Sequence, residues 1–196
     1  MYNAVLFLHL IGVVLLVGSV TITLVSTLRV QTAKTVAELR SLTAATKRIE
    51  VVLAPAMVII IASGLYMVAQ HSDHGIIPWT AGWVITSLVV AVLLAVIGNT
   101  IEARDAKRLN VAIANASDER PHAELRRLQL ASSPIYSVFF GSSQVVALLY
   151  VMTNRPDLAV SIAACVIAAA AAFAAAAIRM RSVRRVTHDA ALDVGA

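Results

Sequence analysis

Apolar runs of about a helix-span each, separated by short polar segments, dominate the chain from Ala4 to Ile178. A helix needs roughly 20 apolar residues to cross a hydrocarbon core of about 30 Å. Five stretches satisfy this: residues 4–28, 51–69, 79–98, 135–153 and 158–178. None contains Asp, Glu, Lys or Arg. The fourth is the weakest, diluted by Ser137, Gly141, Ser142, Ser143 and Gln144, and the fifth is dominated by alanine. In lipid each must be helical, because an unpaired backbone amide there costs several kcal/mol. The fold expected is an all-α membrane protein, a five-helix transmembrane bundle. Residues 1–180 form a single helical domain, and residues 181–196 a basic cytoplasmic tail that frays and then becomes disordered.

The polar connections carry structure of their own. Thr35-Val36-Ala37-Glu38 has capping-box spacing, which predicts a helix starting near Thr35 and running toward the second span. Pro55 predicts a kink or a break in it, since proline removes a helical donor. The third span is expected to continue past Gly98 into Ile101–Val111 as a solvated helix, and Pro121–Gln129 to form a short helix ending before Pro134. The connections at His71–Pro78 and Asn154–Asp157 are tight, which makes the neighbouring helices antiparallel.

Charge orients the bundle. Of 16 Lys and Arg, fifteen fall between spans one and two, between spans three and four, or after span five, and only Arg155 lies in another connection. The positive-inside rule then predicts an N-terminus outside and a C-terminus inside, which an odd number of spans permits. Tyr2, Trp79, Trp83 and Tyr150 fall near the outer ends, where amphipathic rings favour the headgroup level. The first span lacks a basic n-region and is long enough to cross, so it is expected to be retained rather than cleaved. With 59% hydrophobic and 14% charged residues, the composition is far from that of a soluble domain. The single Cys165 excludes an internal disulfide. The net charge of +5 is read as topology plus attraction to an anionic leaflet. The basic loops carry no aromatic residue for stacking, so no nucleic acid is expected as partner. The bilayer is, with a membrane protein partner or a second copy of the chain as further candidates.

Phosphate loops, nucleophile elbows and zinc-protease signatures are absent, and no carboxylate lies inside a span. Histidine remains. His9 is the only ionisable side chain well within a span, with Gly12 one turn further along the same face. Such a histidine is a functional candidate by default. It is equally a neutral ring hydrogen-bonded to a hydroxyl or carbonyl of the next helix. His71 and His74 follow the second span at i, i+3 spacing, on the same predicted side of the membrane as His9. Three imidazoles there could supply axial ligands to a b-type haem. Together with the thioether of Met67, they could instead hold copper. The bland alternative for His71 and His74 is a solvated turn that ends the helix. His122 and His188 are assigned no role, and Gln144 is read as interhelical glue.

Leu8-His9-Leu10-Ile11-Gly12 with Gly18, Ala62-Ser63-Gly64-Leu65 in the second span and Trp83 in the third resemble a family of uncharacterised bacterial predicted integral membrane proteins. That family is similar to the CopD-like copper-resistance membrane proteins and the HemJ-type protoporphyrinogen oxidases. The resemblance covers about the first 150 residues. It implies a helical bundle in the bacterial inner membrane in which His9 serves a haem or metal site. The residues themselves add His71 or His74 as a further ligand and Gly12 as the place where a flat or bulky group could approach the helix. A HemJ-type enzyme also needs a lysine in the third span, which residues 79–98 lack. Copper transport would call for more Met and His than this chain has. Three functions are carried forward: a small haem-binding redox protein, an accessory or assembly subunit of a membrane complex, and copper handling at the outer face.

Overall fold

The computed structural model describes residues 2–73, 78–116 and 121–193, all helical apart from short connections. The helices are α1 (Tyr2–Val30), α2 (Val36–Asp73), α3 (Gly82–Ile97), α4 (Ala103–Ala114), α5 (Ala123–Gln129), α6 (Ser133–Asn154) and α7 (Leu158–Asp193). Five helices are long and apolar enough to cross a membrane. With 29 residues, α1 extends about 43 Å at 1.5 Å per residue, enough for the hydrocarbon core with a margin.

The capping-box expectation is met at the start of α2. The Glu38 amide donates to Thr35 Oγ1 at 3.2 Å, and the Lys34 amide donates to Glu38 Oε2 at 3.0 Å, so two orphan donors are satisfied by side chains. Helix α2 then runs unbroken through Pro55 to Asp73. Of the kink or break expected at the proline, the break does not occur, and α1 packs along the helix just after it, with Gly12 against Ala56, Ile59 and Ile60. The continuation past span three takes an unforeseen form. Residues Gly98–Glu102 are π-helical, with the Ala103 amide bonded to the Gly98 carbonyl five residues back, before α4 resumes the ordinary pitch. Nor does α7 end at Ile178: its backbone stays helical through Arg181 and on to Asp193.

Helix α1 packs along α2, while α6 contacts α1, α3 and α7. The serine-rich, least apolar span is therefore the central one, where small and polar side chains permit close approach and find partners. Gln144 Nε2 donates to the Cys165 carbonyl of α7 at 3.0 Å, which is the interhelical bond expected of it. Gly82 at the start of α3 abuts the backbone of Leu158 at the start of α7, leaving no room there for a side chain. Arg155 ends α6 in the left-handed region at φ 50°, with its guanidinium 5.7 Å from the centre of the Trp83 ring.

At the other end of the bundle, which carries most of the basic residues, the loops fold into a small core of Ala33, Val36, Leu39, Ile113, Ala116 and Leu125. Polar side chains close it. Gln129 Nε2 donates to the Val30 and Ala33 carbonyls, Arg126 donates to Ala33 O at 3.2 Å, and Arg40 donates to Ala116 O at 3.1 Å. The bonds from Gln129 and Arg126 reach carbonyls at the turn between α1 and α2, and that from Arg40 reaches one just past the end of α4.

Candidate functional site

His9 lies seven residues inside α1, about 10 Å from its start at the end opposite the basic loops. The ring is half-buried against α2. Its Nδ1 is 3.1 Å from the Ile60 carbonyl oxygen and 2.9 Å from Ser63 Oγ. Ser63 Oγ also lies within reach of the Ile59 and Ile60 carbonyls, either of which can take its one proton. Two acceptors then face Nδ1, so the proton sits on Nδ1 and is shared between Ile60 O and Ser63 Oγ. The tautomer is thereby assigned, with the lone pair on Nε2. Among the described residues Nε2 has no hydrogen-bond partner.

Two glycines permit this approach. A Cβ on Gly64 would stand 3.5 Å from His9 Cε1, so α2 presents bare backbone to the ring edge. A Cβ on Gly12 would lie 2.8 Å from Ile60 Cγ1 and 3.2 Å from Ile59 Cγ2. The body drawn close to Gly12 is therefore helix α2. Gly18 faces open space, with nothing within 4 Å of its own added Cβ. Of the glycines in the opening motif, only Gly12 marks a helix contact.

His74 lies outside the described residues, as does the side chain of His71, whose backbone continues α2 two turns beyond Ser63. Met67, one turn from Ser63, is half-buried on α2. Among the described residues no three His, Cys, Asp or Glu side chains gather as a metal-binding group. His122 is the residue before α5 and is exposed. The hydrogen bond to a hydroxyl or carbonyl of the next helix, one of the two alternatives for His9, is present. The sequence does not single out Ser63 and Ile60 as its partners, since a carbonyl acceptor carries no residue-type signal.

A second feature lies at the basic end, where residues of α1, α2, α4, α5 and α6 surround an open cavity of about 830 Å³. Three cations, Lys47, Arg108 and Arg127, and three carboxylates, Glu102, Asp105 and Glu124, lie on its wall. The π-helical segment contributes Glu102 and turns α4 so that Asp105, one turn further on, joins the same wall. Asp105 Oδ2 is buried there without a hydrogen-bond partner. In sequence these charges counted only toward topology.

Residues 3–156 match the family described as Predicted integral membrane protein (DUF2269), and the chain belongs to that family. The match covers α1 to α6 and stops before α7 begins. No curated protein and no solved structure matches the chain.

Proposed function

We propose, from membership in a family of integral membrane proteins, that this multi-pass protein is a small redox-type protein in which His9 supplies an axial ligand to a b-type haem. The observation that carries the reading is the hydrogen bond from Nδ1 to the Ile60 carbonyl. Histidines that ligate metals usually donate their other ring N–H to a carbonyl or carboxylate, which fixes the tautomer and makes the ligating nitrogen more basic. His9 has that arrangement, with Nε2 unprotonated and turned from its α2 partners. The donor chemistry fits one axial position. A second ligand falls to His71 or His74. A b-type haem, when bound, supplies one-electron transfer. The residues' own tasks are to hold the imidazole edge against α2 and to keep the apolar surface around it dry.

Copper at the same end is less well supported. Among the described residues no three His, Cys, Asp or Glu side chains gather there, which leaves His9 with the thioethers of Met67 and Met152 as candidate donors. Kinship with CopD-like and HemJ-type proteins belongs to the haem reading, and the lysine-free α3 sets it apart from protoporphyrinogen oxidation. Placement in a bacterial inner membrane rests on the resemblance to bacterial membrane proteins, and the N-terminus outside on the fifteen-to-one distribution of basic residues.

A specific observation favours a second reading, an accessory subunit of a membrane complex. Helix α7 lies outside the family match, and its alanine-rich membrane segment is the least buried of the spans. One measurement separates the two. Protein purified in mild detergent shows a Soret band that disappears in His9→Ala and persists in His122→Ala if the haem reading is right. Colourless, iron-free protein that elutes with a partner subunit overturns it.

A further inference from the structure

The cavity at the basic end is far from His9 and plays no part in the haem reading. Its volume of about 830 Å³ falls within the usual range of small-molecule sites, about 300–1,000 Å³. Its charges are balanced in sign rather than uniformly basic. The structure shows no ion pair joining Lys47, Arg108 or Arg127 to Asp105 or Glu124, although all five face the same space. Bringing two long charged side chains together costs side-chain entropy that an exposed pair barely recovers, so facing charges can stay apart. Asp105 Oδ2 is the exception to solvation, buried and without a donor. A buried carboxylate oxygen with no donor is costly unless something supplies one.

The cavity also has a direction. Thr23 and Val30 of α1 both line it, so it reaches about 10 Å along α1 from the helix end into the span. At that depth Thr23 and Thr27 of α1 are half-buried at the cavity, and the buried Ile135 and Val138 of α6 close it from behind. The charged residues belong to α2, α4 and α5 beyond it. A molecule filling this space meets hydrocarbon-compatible surface at one end and both signs of charge at the other.

We propose that the cavity seats a zwitterionic phospholipid with a primary-amine headgroup, of the phosphoethanolamine class, drawn from the adjoining leaflet. The phosphate lies toward Lys47, Arg108 and Arg127, where charge-assisted hydrogen bonds are strongest. The ammonium donates to Asp105 Oδ2, the acceptor that lacks a donor within the protein, and Glu124 supplies further negative charge. The acyl chains leave past Thr23 and Thr27 of α1 into the bilayer. An anionic headgroup without an amine, even one with hydroxyls to donate, brings no positive charge to Asp105 and meets the carboxylates as like charges. A quaternary ammonium has no N–H to give. Free phosphoethanolamine shares the headgroup chemistry and lacks the tails, so it distinguishes the two sources of the ligand.

The test uses the full chain in detergent, titrated with dioleoyl phosphatidylethanolamine, phosphatidylglycerol, phosphatidylcholine or free O-phosphoethanolamine. Native mass spectrometry reads adducts and thermal denaturation reads stabilisation. The ethanolamine lipid should form a discrete adduct and raise the midpoint, with apparent affinity falling about tenfold in Asp105→Asn and in Lys47→Gln. Lys47 is exposed, so Lys47→Gln keeps the fold and carries the test even if Asp105→Asn does not fold. Equal binding of phosphatidylglycerol or phosphatidylcholine overturns the proposal, because the amine then plays no part. Protection by free O-phosphoethanolamine equal to that by the lipid overturns the membrane source. Unchanged affinity in both charge variants overturns the site.

Discussion

Gly12 and Gly18 lie on the same helix, and replacing each with alanine separates packing from helix propensity. In a helix interior the change alone is worth about 0.5–1 kcal/mol of stabilisation. At Gly18 that is the whole effect, since an added Cβ meets nothing within 4 Å. At Gly12 the new methyl stands 2.8 Å from Ile60 Cγ1, 3.2 Å from Ile59 Cγ2 and 3.4 Å from the Ala56 carbonyl oxygen. Ile60 is only 8% exposed, and its Cγ1 is one bond from Cβ, so it cannot swing aside and α2 must shift. Overpacking of this kind costs about 1–3 kcal/mol. Gly12→Ala should thus be destabilising by about 1–2 kcal/mol once the propensity gain is deducted. Gly18→Ala should be neutral or slightly stabilising. The gap of about 2 kcal/mol corresponds to roughly thirtyfold in the folding equilibrium.

The assay is reversible unfolding in mixed micelles with increasing sodium dodecyl sulfate, followed by the fluorescence of Trp79 and Trp83. Trp83 packs on the cluster of Val68 and Val84 between α2 and α3, so its emission reports loss of the bundle. Gly12→Leu extends the series. It forces four carbons into the same gap and should separate α1 from α2 one turn from His9, breaking the bond to Ile60. Equal midpoints for Gly12→Ala and Gly18→Ala would refute the reasoning, as would greater damage at Gly18.

Three further outcomes follow from the contacts. Gln144→Leu preserves volume in α6 but loses the bond to the Cys165 carbonyl, and should cost about 1 kcal/mol in the same titration, the scale of interhelical hydrogen bonds in membranes. Gln129→Leu strips donors from the Val30 and Ala33 carbonyls, at about 1–3 kcal/mol. Its readout is faster tryptic cleavage after Arg29 and Lys34, and an unchanged rate would show that Gln129 does not secure this turn. Arg155→Gly relieves the left-handed φ of 50° while giving up the contact with Trp83, whereas Arg155→Ala gives up the contact and keeps the strain. The glycine variant should be the more stable of the two by about 1 kcal/mol in thermal denaturation, and the reverse order would contradict the backbone argument.

The spans were legible because their cause is local. Apolar length and the ban on unpaired amides act on each stretch alone, so five spans and the helix start at Thr35 could be read without knowing what packs on what. Other details depend on neighbours. Pro55 left a kink and a break both open, and α2 continues through it without a break. The end of the fifth span at Ile178 followed the fall in hydropathy, yet a helix can outrun the bilayer. Here Met180 packs with Ile135 and Ala176, and Arg179 Nε donates to Gln31 Oε1 at 3.3 Å, which carries α7 onward.

The same distinction explains why His9 was found while its role stayed open and the cavity went unseen. An imidazole inside an apolar run is conspicuous in any alphabet, but whether its ring is clamp or ligand turns on a backbone oxygen of another helix, which no residue letter encodes. The basic end presents the converse problem. Lys47, Arg108 and Arg127 are conspicuous, but their topological role already accounts for them, so their presence called for no further function. Only when α4 and α5 fold back over the turn, pinned by Leu39, Ile113 and Leu125, do those cations come to face Asp105 across one space. Topology requires cations in these loops and is indifferent to carboxylates among them. A purely orienting charge pattern would place no acidic group where it must be buried without a donor. The position of Asp105 is therefore the feature that orientation leaves unexplained, and a ligand carrying both an anion and an N–H donor accounts for both signs at once.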